Sequence, residues 1–595
     1  MRRGNTGLAL LACFWALGFI FLMARTARCE IRGLWVDGFN EGYKTPGQCD
    51  TLVAEARLLH YNALFVQMRR RGDAYYSSHY EPWASDDPQH FDALAYLCRV
   101  CHAPGSPRIA VHAWLNACAV GGNASPRSVI KSHPEWTALS DTGKDFDGES
   151  TKIDPGNTRA AEWTYRVMMD VVRHYDIDGI QLDSIRYGGD QTTEGHWGYN
   201  LDSIRRFQRQ HNTTGTPAWN DPQWQSWRRA QVTGLVKRVY IGAHKLQPGI
   251  VVSADTICWG KPPADERDYE RSSASYVLVY APWRNWMRDG IIDLNCPMTY
   301  FNQSTRPDYF RGWSEFVKAN RFGRLATMGL GQWLNTPEGT LAQLSEAMAE
   351  SSRGGAADGT VCFSYAHPEK GADPDRHPDT GWYETLLASG AFSAVASQPK
   401  TPWLSDTASG KVSGTVLVGS DLRPMDGALV ALTDSRTGKV RTSATDGNGW
   451  FGYVDVPAGR YNIQMTTGRK YASDAVIVTG GAIVSADLTP GVRVRNRVSG
   501  IGDLKDGERV TLSRRLISNV GPDPCTSAFV SDGFGNSAVS VTFPKRDMPL
   551  EMGDVVTLTG LIEHVQGETQ LHASVIRVVD AIIVQYNSSV RQKLH

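Results

Sequence analysis

The 595-residue chain has no charge of one sign to spend: 62 Lys+Arg balance 62 Asp+Glu. Such a balance supplies neither a basic field to hold a nucleic-acid backbone nor an acidic tail. Cysteine is too sparse for a disulfide framework, at ten residues, two of which (Cys13 and Cys29) fall in the first 29 positions. Cys98 and Cys101 form a lone Cys-x-x-Cys within the helical pattern from Phe91 to Val100. With no second pair the expectation is buried thiols or a single disulfide, not a zinc site. Past residue 29 no apolar run reaches the ~18 residues a membrane-spanning helix needs. No GxGxxG follows the first strand and no GxxxxGK[ST] loop occurs, which leaves nucleotide binding without support. HExxH, GxSxG and Cys–His arrangements are absent too, and with them the common peptidase and esterase chemistries.

What is present begins with a leader pattern. Arg2 and Arg3 precede an apolar run from Gly7 to Met23, then small residues up to Cys29. This reads as a signal peptide over 1–29, cleaved near Cys29, and predicts a secreted or periplasmic protein with no membrane span once the signal is removed. From about residue 30 to 392 short apolar strands alternate with amphipathic stretches. The candidate strands are Gly33–Asp37, Ala63–Arg69, Ile109–Asn116, Gly179–Asp183, Val251–Asp255, Ile292–Thr299, Leu325–Leu330 and Gly359–Tyr365. Eight strands alternating with helices predict an α/β fold, a (β/α)8 TIM-type barrel. Residues 393–410, rich in Ser, Ala, Pro and Thr, read as a linker. Helical periodicity then ends. Alternating strands with turns at Asp446-Gly447 and Asn448-Gly449 predict a β-sandwich over 411–490, and a second all-β unit over 491–586 reads as an OB-like barrel, followed by a tail at 587–595.

The strand tips carry the chemistry, because side chains at the C-terminal ends of barrel strands face the active site. On the third strand Ile109, Val111, Ala113 and Leu115 make an apolar face, while His112, Trp114 and Asn116 share the other. Hydrogen-bonding groups beside an indole suit an array of sugar hydroxyls. Gln67 and Arg69 share the corresponding face of the second strand. The fourth strand ends at Asp183, whose charge at a barrel mouth must be paired or used; Arg186 is its expected partner. Sugar-bond hydrolysis needs two carboxyl groups. Asp255, at the end of the fifth strand, is the first candidate for the second, then Asp37 at the tip of the first, then Glu41 in the loop beyond. Trp35, Tyr300 and Tyr365 complete the expected substrate contacts. Acid–base hydrolysis calls for no cofactor, and no metal-ligand cluster stands out in the sequence.

Several ordered blocks carry a resemblance. They are Arg32-Gly33-Leu34-Trp35-Val36, Val66-Gln67-Met68-Arg69-Arg70-Arg71-Gly72-Asp73-Ala74-Tyr75-Tyr76, Glu81-Pro82-Trp83, Val111-His112-Ala113-Trp114-Leu115-Asn116, Ile153-Asp154-Pro155-Gly156, Tyr175-Asp176-Ile177-Asp178-Gly179-Ile180-Gln181-Leu182-Asp183 and Trp227-Arg228-Arg229. Together they resemble glycosyl-hydrolase-like family 10, a bacterial group with a barrel catalytic domain. The resemblance implies an exported enzyme that cuts glycan strands, with stem-peptide-free peptidoglycan glycan as substrate type, and it implies that Asp183 matches the family's aspartate at the end of the fourth strand. The chain departs from the pattern at Ser184, where a second acidic residue is common, and at Met298 within Pro297-Met298-Thr299-Tyr300. Those departures keep open an alternative, a glycan-binding barrel that does not cut; a scavenger of external polysaccharide is a further reading. Downstream, Gly414-Thr415-Val416, Thr445-Asp446-Gly447-Asn448-Gly449-Trp450-Phe451 and Pro457-Ala458-Gly459-Arg460-Tyr461 resemble the carboxypeptidase regulatory-like domain.

Overall fold

The computed structural model describes residues 29–581 apart from 122–128, 190–194, 352, 374–380, 420, 467–470, 473–474, 490–497, 499–500, 502–503, 534–537, 547 and 566–567. The leader and the tail expected from the sequence lie outside the described residues.

A parallel barrel is built from β1 (Ile31–Val36), β2 (Ala63–Arg69), β3 (Ala110–Asn116), β4 (Gly179–Asp183), β5 (Val251–Ile257), β6 (Leu294–Met298), β7, split into Leu325–Ala326 and Met328–Gly331, and β8 (Gly359–Phe363). Each strand pairs with its sequence neighbour, and β8 returns to β1 through the register Ile31↔Gly359 to Trp35↔Phe363. The first half of β7 pairs with β6 and the second with β8, so the strand interrupted at Thr327 closes the ring. The expected barrel is therefore present, with β5 running two residues past its predicted end at Asp255.

Each strand is buried on both faces, as a parallel sheet under helices must be. Leu64, Val66 and Met68 of β2 and Val111, Ala113 and Leu115 of β3 pack outward. They meet α1 (Pro46–Leu58), α2 (Ala93–Cys101) and α3 (Thr158–His174), then α4 (Leu201–His211) and α5 (Pro222–Leu246) follow in the chain. Asn157 caps α3 by accepting from the amides of Arg159 and Ala160, both at 3.1 Å. Inward from the strands, Ile31, Ala63, Phe65, Ala110, Leu294, Leu325 and Val361 fill the barrel with apolar bulk. Cys98 and Cys101 are buried free thiols, and no disulfide occurs among the described residues.

The segment read as a linker is packed. Trp403 joins the interior apolar cluster of the barrel, and its indole N–H donates to the buried Asp293 Oδ1 at 2.6 Å. Cys29 and Ser397 form an isolated bridge, and Asn62 Nδ2 donates to the Ala396 carbonyl at 3.0 Å. Its Ser/Ala/Pro/Thr composition shows that no regular element forms there, but backbone groups pinned in this way do not tether loosely. Beyond it, strands Ser409–Thr415, Trp450–Pro457 and Ile483–Ser485 form one sheet, and Leu429–Asp434, Val440–Ala444 and Gly459–Met465 anchor the second. Five strands between Arg509 and Ala581 then close into a small β-barrel around Leu512, Val530, Val541, Leu558 and Leu571.

Candidate active site at the barrel mouth

Side-chain parity carries β3, β4 and β5 into the barrel as three matched columns. The registers are His112↔Gly179, Trp114↔Gln181 and Asn116↔Asp183, then Gly179↔Val251 and Gln181↔Ser253. The paired register runs on to Leu182↔Ala254, and one residue further Asp183 and Asp255 end neighbouring strands, close enough for the Asp183 charge to bear on Asp255.

The two carboxyls sit in unlike surroundings. Asp183 Oδ2 accepts from Trp114 Nε1 at 2.9 Å, and Oδ1 accepts from the amide of Ser184 at 2.5 Å. Ser184 adopts φ 50°, a left-handed conformation uncommon outside glycine and asparagine, which turns its N–H onto the preceding carboxylate. Burial raises the Asp183 pKa, while the Arg186 charge and the Trp114 hydrogen bond pull against it. Asp255 has no such help. It is buried, its Oδ1 has no hydrogen-bond partner among the described residues, and burial followed by the charge of Asp183 pushes it well above the carboxylate range. Both acids are pushed upward by burial, Asp255 the more strongly and without opposing contacts, so Asp183 is the easier of the two to ionise.

Tyr300 adjoins both acids; burial, then Asp255 and Asp183, push its phenol upward. Its ring lies 4.8 Å from Trp333 and 5.4 Å from Phe363, with Phe363 also 6.2 Å from Trp114. Trp333, Phe363 and Tyr300 are only partly buried and form an aromatic wall beside the paired acids. Sequence reasoning does not single out Trp333 or Phe363, because neither stands in an alternating polar face. It also misses Trp259 and Glu149. Glu149 reaches in from the loop after β3 to within 3.7 Å of Arg186, whose guanidinium carbon lies 5.4 Å from the Trp259 ring centroid. Arg186 thus acts on Asp183 through space, and its ion partner among the described residues is Glu149.

The other expected contacts divide. Trp35 is in the barrel interior, its indole donating to Gln181 Oε1 at 2.8 Å, beneath the acids. His112 lies deeper, stacked on Phe65 at 4.4 Å, and burial lowers its pKa to about 4. Gln67 accepts from the amide of Gly38 at 2.9 Å, which fixes the loop after β1. Arg69 sits beyond a register shift in β2 and is wholly buried against Glu81; it donates to the main-chain carbonyls of Asn116 and Ala117. Asn116 spends its own amide on the Arg70 carbonyl at 2.5 Å. These residues hold the loops that ring the mouth, since buried polar groups at strand tips must first satisfy the backbone that leaves the strand. Asp37 behaves likewise: its Oδ1 accepts from the amides of Phe39 and Asn40 at 3.0 and 3.2 Å and from Asn40 Nδ2 at 2.9 Å, a turn-closing role. Glu41 is exposed and accepts from Gln48 at 2.8 Å. Tyr365 packs outward, on the helix-side core near Glu55, so it is not at the mouth.

The barrel with its paired acids and aromatic wall at the C-terminal mouth makes up the part of the chain that is similar to glycoside hydrolase-like proteins. Residues 30–320 match the family model of Glycosyl hydrolase-like 10, and residues 411–490 match that of the Carboxypeptidase regulatory-like domain. The resemblances read from the sequence blocks are thereby shown. Glycosyl hydrolase YngK of Bacillus subtilis (strain 168) is 25% identical over 291 residues, covering 45% of this chain and 52% of that protein. Glycosyl hydrolase DigH of Escherichia coli (strain K12) is 24% identical over 287 residues, 44% of this chain and 60% of that one. The chain thus spans between half and two thirds of the length of these relatives. Among solved structures, the PgaB (BpsB) glycoside hydrolase domain from Bordetella bronchiseptica superposes with a TM-score of 0.45 at 15% identity, over 62% of this chain and 100% of that one.

Proposed function

We propose that the protein is an exported glycoside hydrolase that cleaves glycan strands, most simply peptidoglycan glycan or a related polysaccharide. The observation that carries this reading is the Asp183–Asp255 pair with its opposed environments. In the proposed reaction Asp255 gives its proton to the leaving glycosidic oxygen as the bond to the anomeric carbon breaks. Asp183, whose carboxylate form Trp114, Ser184 and Arg186 favour against the effect of burial, either attacks that carbon or takes a proton from the water that does; the anomer released separates the two modes. Tyr300, Trp333 and Phe363 offer ring faces to the apolar sides of sugar rings. Export rests on the Arg2–Met23 leader pattern, sugar-bond cleavage also on the relatives named glycosyl hydrolases, and the choice of glycan on what the ordered sequence blocks imply.

A glycan-binding barrel without hydrolysis is favoured by one feature, the serine at 184 where a second acid is common in the family. The test is release of reducing ends from stem-peptide-free peptidoglycan glycan by the wild type and by Asp183→Asn. We expect product from the wild type and a loss of at least about 10³-fold in the variant. No product from either, with both proteins retained on the glycan, would sink the hydrolase reading and leave the binder.

A further inference from the structure

Away from the mouth, on the outer surface of the helix layer, three side chains converge that no part of the hydrolytic chemistry uses. Asp170 and His174 lie one turn apart on the same face of α3, and His79 comes from the loop after β2. Both imidazoles aim Nδ1 at one carboxylate oxygen: His79 at 2.7 Å and His174 at 2.9 Å from Asp170 Oδ1. The three ligand-type atoms lie within 4.8 Å of one another.

We propose that His79, Asp170 and His174 form a binding site for a divalent cation of the zinc class, with solvent completing the coordination. Two imidazole nitrogens and one carboxylate oxygen, with a position left open, are a set that Zn²⁺ accepts. The carboxylate is held in place from behind, because Asp170 Oδ2 accepts from the His79 amide at 3.0 Å and from Ser78 Oγ at 3.2 Å. Outer-shell hydrogen bonds of this kind orient a ligating carboxylate. Exposure across the site is distributed as entry requires. Asp170 is 1% exposed, whereas the side chains of His79 and His174 are 54% and 33% exposed. Tetrahedral ligands at ordinary zinc distances lie roughly 3.3 Å apart. Each ring would therefore draw back by about half an ångström to admit the ion, a movement open to solvent-facing side chains. In binding, the ion takes the place of the Nδ1 protons and of the hydrogen bonds they make to Asp170; a neutral ring then carries its single proton on Nε2, and a ring that was imidazolium keeps the Nε2 proton and releases the Nδ1 proton to solvent. The surroundings suit a cation-mediated clasp: Arg173, adjacent on α3, pairs with Glu551 of the C-terminal β-barrel, and both charges bear on His79. The ion would pin the 77–83 loop to α3 next to that junction.

The proposal is tested on the full-length chain, freed of any affinity tag, stripped with chelator and titrated with ZnCl2 at pH 7.5 by calorimetry; CoCl2 serves as a visible-absorption probe of coordination geometry. We expect one equivalent to bind in the micromolar range or tighter and the melting temperature to rise with the metal. His79→Ala and His174→Ala should each weaken binding at least tenfold. His79→Gln, at the most exposed position, controls for folding: its metal-free melting temperature should equal that of the wild type while zinc affinity falls. Zinc bound equally well by the His79→Ala/His174→Ala double variant, or no specific heat with the wild type at millimolar ZnCl2, would overturn the proposal.

Discussion

Asp255 shows how burial alone sorts the chemistry of like residues. In the unfolded chain it ionises near 3.8, and in the fold burial and the Asp183 charge hold the proton to well above that. Above pH 3.8 the unfolded state therefore releases a proton that the folded state keeps. The stability this carboxyl contributes at low pH is lost as pH rises through the window from 3.8 to the raised folded value, at about 1.36 kcal/mol for each pH unit crossed. Asp255→Asn carries no such loss. We expect it to reduce glycan cleavage at least about 10²-fold and yet to melt above the wild type, by a margin that widens between pH 4 and pH 8. Thermal melts across that range check this, and a margin independent of pH would contradict the burial argument. The same residue scale explains why the polar faces of β2 and β3 were only half informative. His112, Trp114 and Asn116 do face inward as alternation dictates, but only Trp114 touches an acid. Whether an inward polar group meets substrate or backbone depends on its height in the barrel, which alternation along one strand does not encode.

At the scale of the element, β4 is shaped by what it lacks. A Cβ at Gly179 would lie 2.1 Å from His112 Nδ1 and 2.5 Å from its Cε1. Only a glycine lets the imidazole lie flat against β4 and stack on Phe65. Gly179→Ala should destabilise the barrel by about 1–3 kcal/mol, read from urea unfolding. Combining it with His112→Ala should recover part of that loss, because the clash is with the ring itself. The eight strands were legible because each is a short apolar run bounded by turn residues, and six-to-seven-residue runs such as Ala63–Arg69 leave little freedom in placement. Less legible was the end of β8. Continued alternation would bring Tyr365 to the mouth, whereas the strand stops at Phe363 and Tyr365 is taken up by the outer core beside Glu55 and Gly42.

Over the whole molecule, the β-sandwich is fastened to the barrel by charge and by packing. Arg206 of α4 grips Asp426 with two hydrogen bonds, at 2.8 and 2.7 Å, and Gln210 donates to the same carboxylate at 2.7 Å. Trp450 and Val454 of the sandwich enter the outer core of the barrel. Arg206→Ala should cost about 3 kcal/mol, since it leaves a half-buried carboxylate short of its cation. Calorimetry should then show the sandwich melting apart from the barrel, with glycan cleavage retained at low temperature; a single unshifted transition would mean that the apolar contacts alone hold the junction.

By itself the sequence determined the order of strands and helices, the all-β character of the C-terminal third and the presence of Asp183 at a strand end, because these follow from periodicities of two and 3.6 residues read along the chain. Tertiary structure alone decided which acid is pushed further upward, since that depends on solvent exclusion and on the charge of Asp183, far from Asp255 along the chain. It also decided that Asp37, Gln67, Arg69 and Asn116 secure loops, and that His79 meets Asp170 across 91 residues, with His174 on the same carboxylate. Burial and proximity are properties of the packed chain, and no local pattern in the sequence carries them.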